Sequence, residues 1–259
     1  MRRFLVITAG QRTGTTALGS TLGGTGAFRY FGEVFHDAPD RELSFVDWMR
    51  TKQKLWVDTF SLEGAKNTAE EYFEFLSDAA GDALPLVDIK LNSWMTFHPG
   101  WTYPDQVPFL MDFLYERGAA FLFLRRKNLT SQILSEFVAR HLGKWHDVTD
   151  KDTSNVRFTV PVDEIEERAT NIIAAEKLVA TSLADARSVL SIWYEDLYQG
   201  EKISSDVTTF LNREFALSLE DLRPQMSKNA GDPSALVANY GAVVAAVREI
   251  ERKTNRLLY

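Results

Sequence analysis

Three groups of residues in this chain have types and spacing that could do chemistry. The first is Gly10-Gln11-Arg12-Thr13-Gly14-Thr15-Thr16, a loop with two glycines, three hydroxyl side chains and one permanent cation. Glycine lets the backbone approach a ligand closely, and threonine hydroxyls add donors with little bulk. Placed between a strand and a helix N-terminus, such a loop is an anion cradle, because free N–H groups and the helix dipole both favour negative charge there. The second group is Arg125-Arg126-Lys127-Asn128, with Ser135 two helical turns further on. A guanidinium offers a forked, always-charged donor set suited to phosphate, and the serine hydroxyl can join the same oxygen cluster. The third is Glu33 with His36, a carboxylate and an imidazole among aromatics, suited to acid–base work; His98, in a Pro/Gly loop, is a third candidate base.

The elements that must position these groups follow from the apolar pattern. Phe4-Leu5-Val6-Ile7 leads into the first loop, and Ala17-Leu18 with Thr21-Leu22 resume at helical intervals after it. Short unbroken apolar runs of this kind are buried parallel strands. Leu84 to Lys90 and Ala119 to Leu124 are two more, and the latter delivers Arg125 and Arg126. Ligands of parallel α/β sheets bind beyond the strand C-termini, so Lys90, Asn92 and Trp94 are also well placed, although spacing assigns them no role. Helices are expected over residues 44–54, 68–80, 104–117 and 161–183, a fourth strand over 188–194, and a final helix over 233–258. Aromatic residues in 45–103 are core or helix-packing residues first and a sugar-stacking resource second. Two anion sites on neighbouring strands imply a ligand with phosphates at both ends.

Composition narrows the field. The chain has 259 residues, 45% of them hydrophobic, and a formal net charge of −7, so it has no global basic field for nucleic acid or an anionic membrane. It contains no cysteine, which removes thiol, disulfide and Cys-zinc chemistry, and its four histidines do not suggest a metal site. Arg2 and Arg3 precede an apolar run that is too short for a signal peptide or a membrane span, and no later segment reaches 18 apolar residues. A cytoplasmic location is expected.

A nucleotide loop of the GxxxxGK[ST] type requires Lys after its second glycine, where this chain has Thr15. Gln11 to Thr16 instead resembles the 5′-phosphosulfate loop of sulfotransferases, in the form Q-R-[ST]-G-[ST]-T seen in the bacterial branch that acts on trehalose, Nod factors and lipopolysaccharide. Gly32-Glu33-Val34-Phe35-His36 is similar to that branch's G-E segment, whose Glu is the proposed base. Arg126 to Ser135 resembles its R-x-N-x-x-x-Q-x-x-S motif for the 3′-phosphate. Tyr194-Glu195-Asp196-Leu197 matches a Y-E-D-L that is structural in the family, its acids capping the next helix. Lys228 and Asn229 stand where the family closes over the 3′-phosphate and ribose, ahead of Asn239-Tyr240.

The resemblance is specific at 8–18, 32–36, 125–139 and 222–240. It implies one α/β domain over 1–259 with a P-loop-like, nucleotide-kinase-like three-layer fold, a mainly parallel central sheet being flanked by helices. Segments 41–83 and 144–160 would be acceptor-site or lid insertions. The implied activity is sulfuryl transfer from 3′-phosphoadenosine 5′-phosphosulfate to a hydroxyl of a small molecule or glycan, without a metal. Gln11, Arg12, Thr13, Gly14, Thr15, Thr16, Arg126, Ser135, Lys228 and Asn229 would hold the donor. Arg12 would also act in catalysis, and Glu33 would be the base, with His36 and His98 as the other candidates. Relatives of the trehalose type form dimers, so a homodimer is implied. Two alternatives stand beside this reading: a small-molecule kinase or NTPase, and a non-catalytic nucleotide-binding protein of the same fold.

Overall fold

The apolar runs form the middle of a five-stranded, all-parallel sheet: β1 (Leu5–Ala9), β2 (Phe28–Glu33), β3 (Leu84–Lys90), β4 (Ala120–Arg125) and β5 (Val189–Trp193), in the order β2-β3-β1-β4-β5. The structure is a computed structural model that describes residues 2–36, 43–97, 107–143, 157–224 and 233–256. Every residue of β1 and β4 is buried, as strands covered on both faces require.

Side chains alternate along these strands, so each strand feeds two cores. Phe4, Val6, Val87, Ile89, Phe121 and Phe123 face one layer, made by α2 (Phe45–Thr51), α3 (Leu62–Ala79), α4 (Phe109–Glu116) and the end of α6 (Val162–Ser182). Leu5, Ile7, Leu86, Leu122 and Ile192 face the other, where α1 (Thr15–Gly23) and α8 (Ser205–Phe215) pack. The result is a three-layer α/β fold. A third core joins α5 (Leu129–Leu142) to α6 and α10 (Tyr240–Thr254). Between β5 and α8 lie a one-turn helix α7 (Tyr194–Leu197) and a small hairpin, β6 (Tyr198–Gln199) with β7 (Lys202–Ile203); α9 (Pro233–Leu236) precedes α10. No described helix is long and apolar enough to cross a membrane.

Several boundaries differ from the sequence expectation, each for a physical reason. The edge strand β2, FRYFGE, has no apolar run because only Phe28 in it is buried. Helix α3 starts six residues early, at Leu62, because the Ser61 side chain caps it by accepting from the Gly64 amide at 3.0 Å. The final helix is broken between Leu236 and Tyr240. There the chain pairs with Phe158, whose amide donates to the Leu236 carbonyl and whose carbonyl accepts from Ala238, while the Asn239 amide bonds both polar groups of the Val160 backbone. Trp48, Tyr72 and Phe73 are core residues as expected, but Trp56 is about half exposed.

Glu214 at the end of α8 pins the N-terminal strand, taking Arg3 and Ser188 at 2.7 Å each. Burial works against its charge, yet hydrogen bonds from Ser188, Arg3 and Arg213 hold its carboxyl below the ordinary range. Its stabilisation is complete above the ordinary carboxylate pKa and is lost as pH falls through the depressed one. Glu214→Gln should therefore lose less Tm than the parent between about pH 7 and about pH 3. Parallel Tm curves would show that Glu214 carries no such linkage.

Candidate functional site

In the order β2-β3-β1-β4-β5 the connection after β1 leaves toward β2 and that after β4 leaves toward β5, so a crevice opens between these neighbours at their carboxyl ends. Both sequence motifs stand there. Gly14 adopts φ +81° and serves as the N-cap of α1; no side chain caps that helix, and its first turn holds no acid. The cradle is thus open to an anion. Gly14 has a second reason to be glycine, since a Cβ there would lie 2.6 Å from the Tyr194 ring. Arg12 is also left-handed, at φ +62°, an uncommon conformation for a residue with a Cβ.

The structure joins the two motifs directly. Arg12 Nε donates to Ser135 Oγ at 3.0 Å, Arg126 Nη1 donates to the Arg12 carbonyl at 2.9 Å, and Gln132 Nε2 donates to the Gln11 carbonyl at 2.9 Å. The Thr13 hydroxyl closes the loop onto the Gly10 carbonyl at 2.7 Å. Burial and the nearby charge of Arg126 lower the pKa of Arg12, against the field of Glu136. Burial likewise lowers that of Arg126, opposed by Tyr194 and Glu195. Both guanidiniums remain charged at neutral pH. Among the described residues Arg126 Nε is buried without a hydrogen-bond partner, its nearest carboxylate, Glu195, being 3.9 Å away.

Helix α5 is not open in the same way. Glu195 accepts from the Lys127 and Asn128 amides at 2.8 and 3.1 Å, and the Asn128 side chain takes the Ser131 amide at 2.8 Å. The Y-E-D-L acid therefore caps α5, whose turn lies beside it across the β4–β5 pair, rather than the helix that follows it. An anion at the second motif must sit on the Arg126–Ser135 side.

Glu33 ends β2 behind a register shift between Tyr30 and Glu33, with Gly32 at φ +72°. A bulge of this kind re-aims the side chain that follows it. Glu33 stands opposite Asp88 in the ladder, its Oε1 3.6 Å from Lys90 Nζ. Lys90, almost fully buried, also donates to Thr15 Oγ1 and, at 2.7 Å, to Asp88 Oδ2. Burial raises the pKa of Asp88, with Lys90 and Thr15 opposing the shift. The ammonium that the loop itself lacks at position 15 is thus supplied from β3. His36 closes a turn onto the Glu33 carbonyl through its amide, 3.1 Å. Thr16 and Gln11 line the loop, and the Gln11 side chain accepts from Arg168 at 3.3 Å. His98, Lys228 and Asn229 lie outside the described residues. Trp94, well placed by position, is buried in the core with its indole N–H on Thr8 at 2.7 Å.

Sequence reasoning left Lys90 without a role, took Tyr194 only as part of a structural Y-E-D-L, and overlooked Arg168. Lys90 did carry a signal: Asp88-x-Lys90 inside an apolar strand puts two charges on one face, and lysine is almost never buried unpaired. Arg168 carried none, since it reaches the site only through the fold. Among the described residues no cluster of acids and histidines could hold a metal. A scan against protein-family models matches none, and a search of curated proteins finds no match.

Proposed function

We propose that this chain is a sulfotransferase that moves the sulfuryl group of 3′-phosphoadenosine 5′-phosphosulfate to an acceptor hydroxyl. The observation that carries the reading is the convergence of Arg12 and Arg126, from two strand ends, on one crevice that also holds the uncapped N-terminus of α1. A ligand with phosphates at both ends matches that charge distribution. In the reaction the bond from sulfur to the 5′-phosphate oxygen breaks, a bond from sulfur to the acceptor oxygen forms, and the acceptor proton passes to Glu33. Arg12 and the amides of Thr13 to Thr16 neutralise charge on the sulfuryl oxygens and the departing phosphate, as preorganised donors do in phosphoryl transfer. Arg126 and Ser135, with Lys228 and Asn229, hold the 3′-phosphate and ribose. A carbohydrate or glycolipid hydroxyl is the acceptor class. The half-exposed Trp56, edge-on to Phe45 at 5.6 Å, offers a ring for it on the β2 side. The reading carries a cytoplasmic homodimer with it.

One observation favours a second reading. Lys90 on Thr15 gives the loop the lysine that a small-molecule kinase would use on a terminal phosphate. Titration calorimetry with 3′,5′-phosphoadenosine, AMP and ATP separates the two. Binding of the bisphosphate in the micromolar range, with AMP weaker by about tenfold or more, is the expected result. Equal or tighter binding of ATP, dependent on Mg²⁺, would transfer the assignment to the kinase reading.

A further inference from the structure

The turn that presents Arg126 is held by an arginine remote in sequence. Helix α10 ends at Asn255, whose left-handed backbone (φ +51°) turns the chain inward and buries the next residue, Arg256, completely. Arg256 Nε and Nη2 bind the two carboxylate oxygens of Glu176, each at 2.9 Å, and Nη1 reaches Glu251 at 3.2 Å. The two carboxylates take three of the five N–H donors of this guanidinium, and the other two go to backbone: Nη2 on the Arg126 carbonyl at 2.7 Å and Nη1 on the Lys127 carbonyl at 3.4 Å. Arg125 returns the grip, its Nη2 donating to the Arg256 carbonyl at 3.4 Å while its guanidinium lies 4.1 Å from the Trp193 ring centre.

The carbonyls of Arg126 and Lys127 thus go to Arg256, and the amides of Lys127 and Asn128 go to Glu195. Only the Arg126 side chain is directed to the crevice, where it meets the loop at the Arg12 carbonyl. A cation whose backbone is fixed on both polar edges loses little freedom when it takes up a ligand.

We infer that Arg256 is a positioning residue for the second anion site, so that the end of α10 sets the affinity for the 3′-phosphate; this rests on the sulfotransferase reading above. Lysine at 256 keeps the charge for Glu176 but brings three donors from one point, too few and too compact to serve two carboxylates and two carbonyls. Arg256→Lys should weaken binding of 3′,5′-phosphoadenosine about tenfold and leave AMP binding unchanged, so the preference for the bisphosphate collapses. A residue that served only stability would leave that preference intact in the folded protein. Glu251→Gln is the control: it touches the same guanidinium but neither carbonyl, and both affinities should hold. If Arg256→Lys does not fold, hydrogen exchange on the wild-type chain decides, because coupling is reciprocal. The bisphosphate, and not AMP, should slow exchange of amides at the end of α10. A folded Arg256→Lys variant with the parent's preference, or equal exchange with both nucleotides, overturns the inference. A wild-type chain with no preference for the bisphosphate overturns the functional reading itself, and this inference with it.

Discussion

Glu33→Gln is expected to lower acceptor sulfation by roughly 10²–10⁴-fold, the usual value of a positioned general base. The substitution keeps the size and shape of the side chain at the end of β2 and removes its ability to take a proton. It should leave 3′,5′-phosphoadenosine affinity unaltered, because the proposed nucleotide site draws on β1, β4 and α5 instead. The bulge at Tyr30–Glu33 makes this a demanding position: Gly32 supplies the left-handed backbone that turns the carboxylate toward Lys90, 3.6 Å away. Lys90 keeps its bond to Asp88 in the variant, so the buried ammonium is not orphaned and the fold should hold. Single-turnover rates with preloaded donor separate chemistry from product release. Turnover equal to the parent's would return the base to His36 or His98.

Arg12→Ala is expected to reduce turnover by roughly 10²–10³-fold, the cost of removing one preorganised donor from a developing negative charge. Arg12 lies two residues before Gly14, the N-cap of α1, and its guanidinium is held in place through Ser135. Alanine inherits the left-handed backbone at this position, so the strain of the loop is little altered. The loss should therefore appear in kcat more than in melting temperature. If it appears only as a raised KM for the donor, Arg12 binds ground state and transition state alike and has no specific part in the transfer.

How much of this was legible in the sequence depended on distance along the chain. β1, β3 and β4 were plain, because strands buried on both faces are mostly apolar, whereas β2 at the sheet edge mixes Arg29, Tyr30 and Gly32 and gives no such run. The loop at 10–16 was legible because strand, glycine, cation and helix start are consecutive. Its partners were harder to read. Arg12 meets Ser135 across 123 residues and Arg168 meets Gln11 across 157, and no local period records such contacts. Arg256 is the extreme case: it follows the charged end of an amphipathic helix and reads as a surface charge, yet it is fully buried. The break before α10 was hidden for the same reason, since Phe158 and Val160 cause it from 79 residues away.

The strand order has an evolutionary corollary. Glu33, α2 and α3 stand on the β2–β3 side of β1, and α5 stands on its β4 side; Lys90 links Glu33 to Thr15 at the start of α1. The cores beneath the two halves have no residue in common, although α6 contributes to both. On the sulfotransferase reading, a lineage could therefore remodel the half that would meet the acceptor, even replacing α2 and α3, while inheriting the donor half unchanged. The tolerance for such grafting would be limited by the Lys90 ammonium, the aspartate beneath it and the helix that serves both cores.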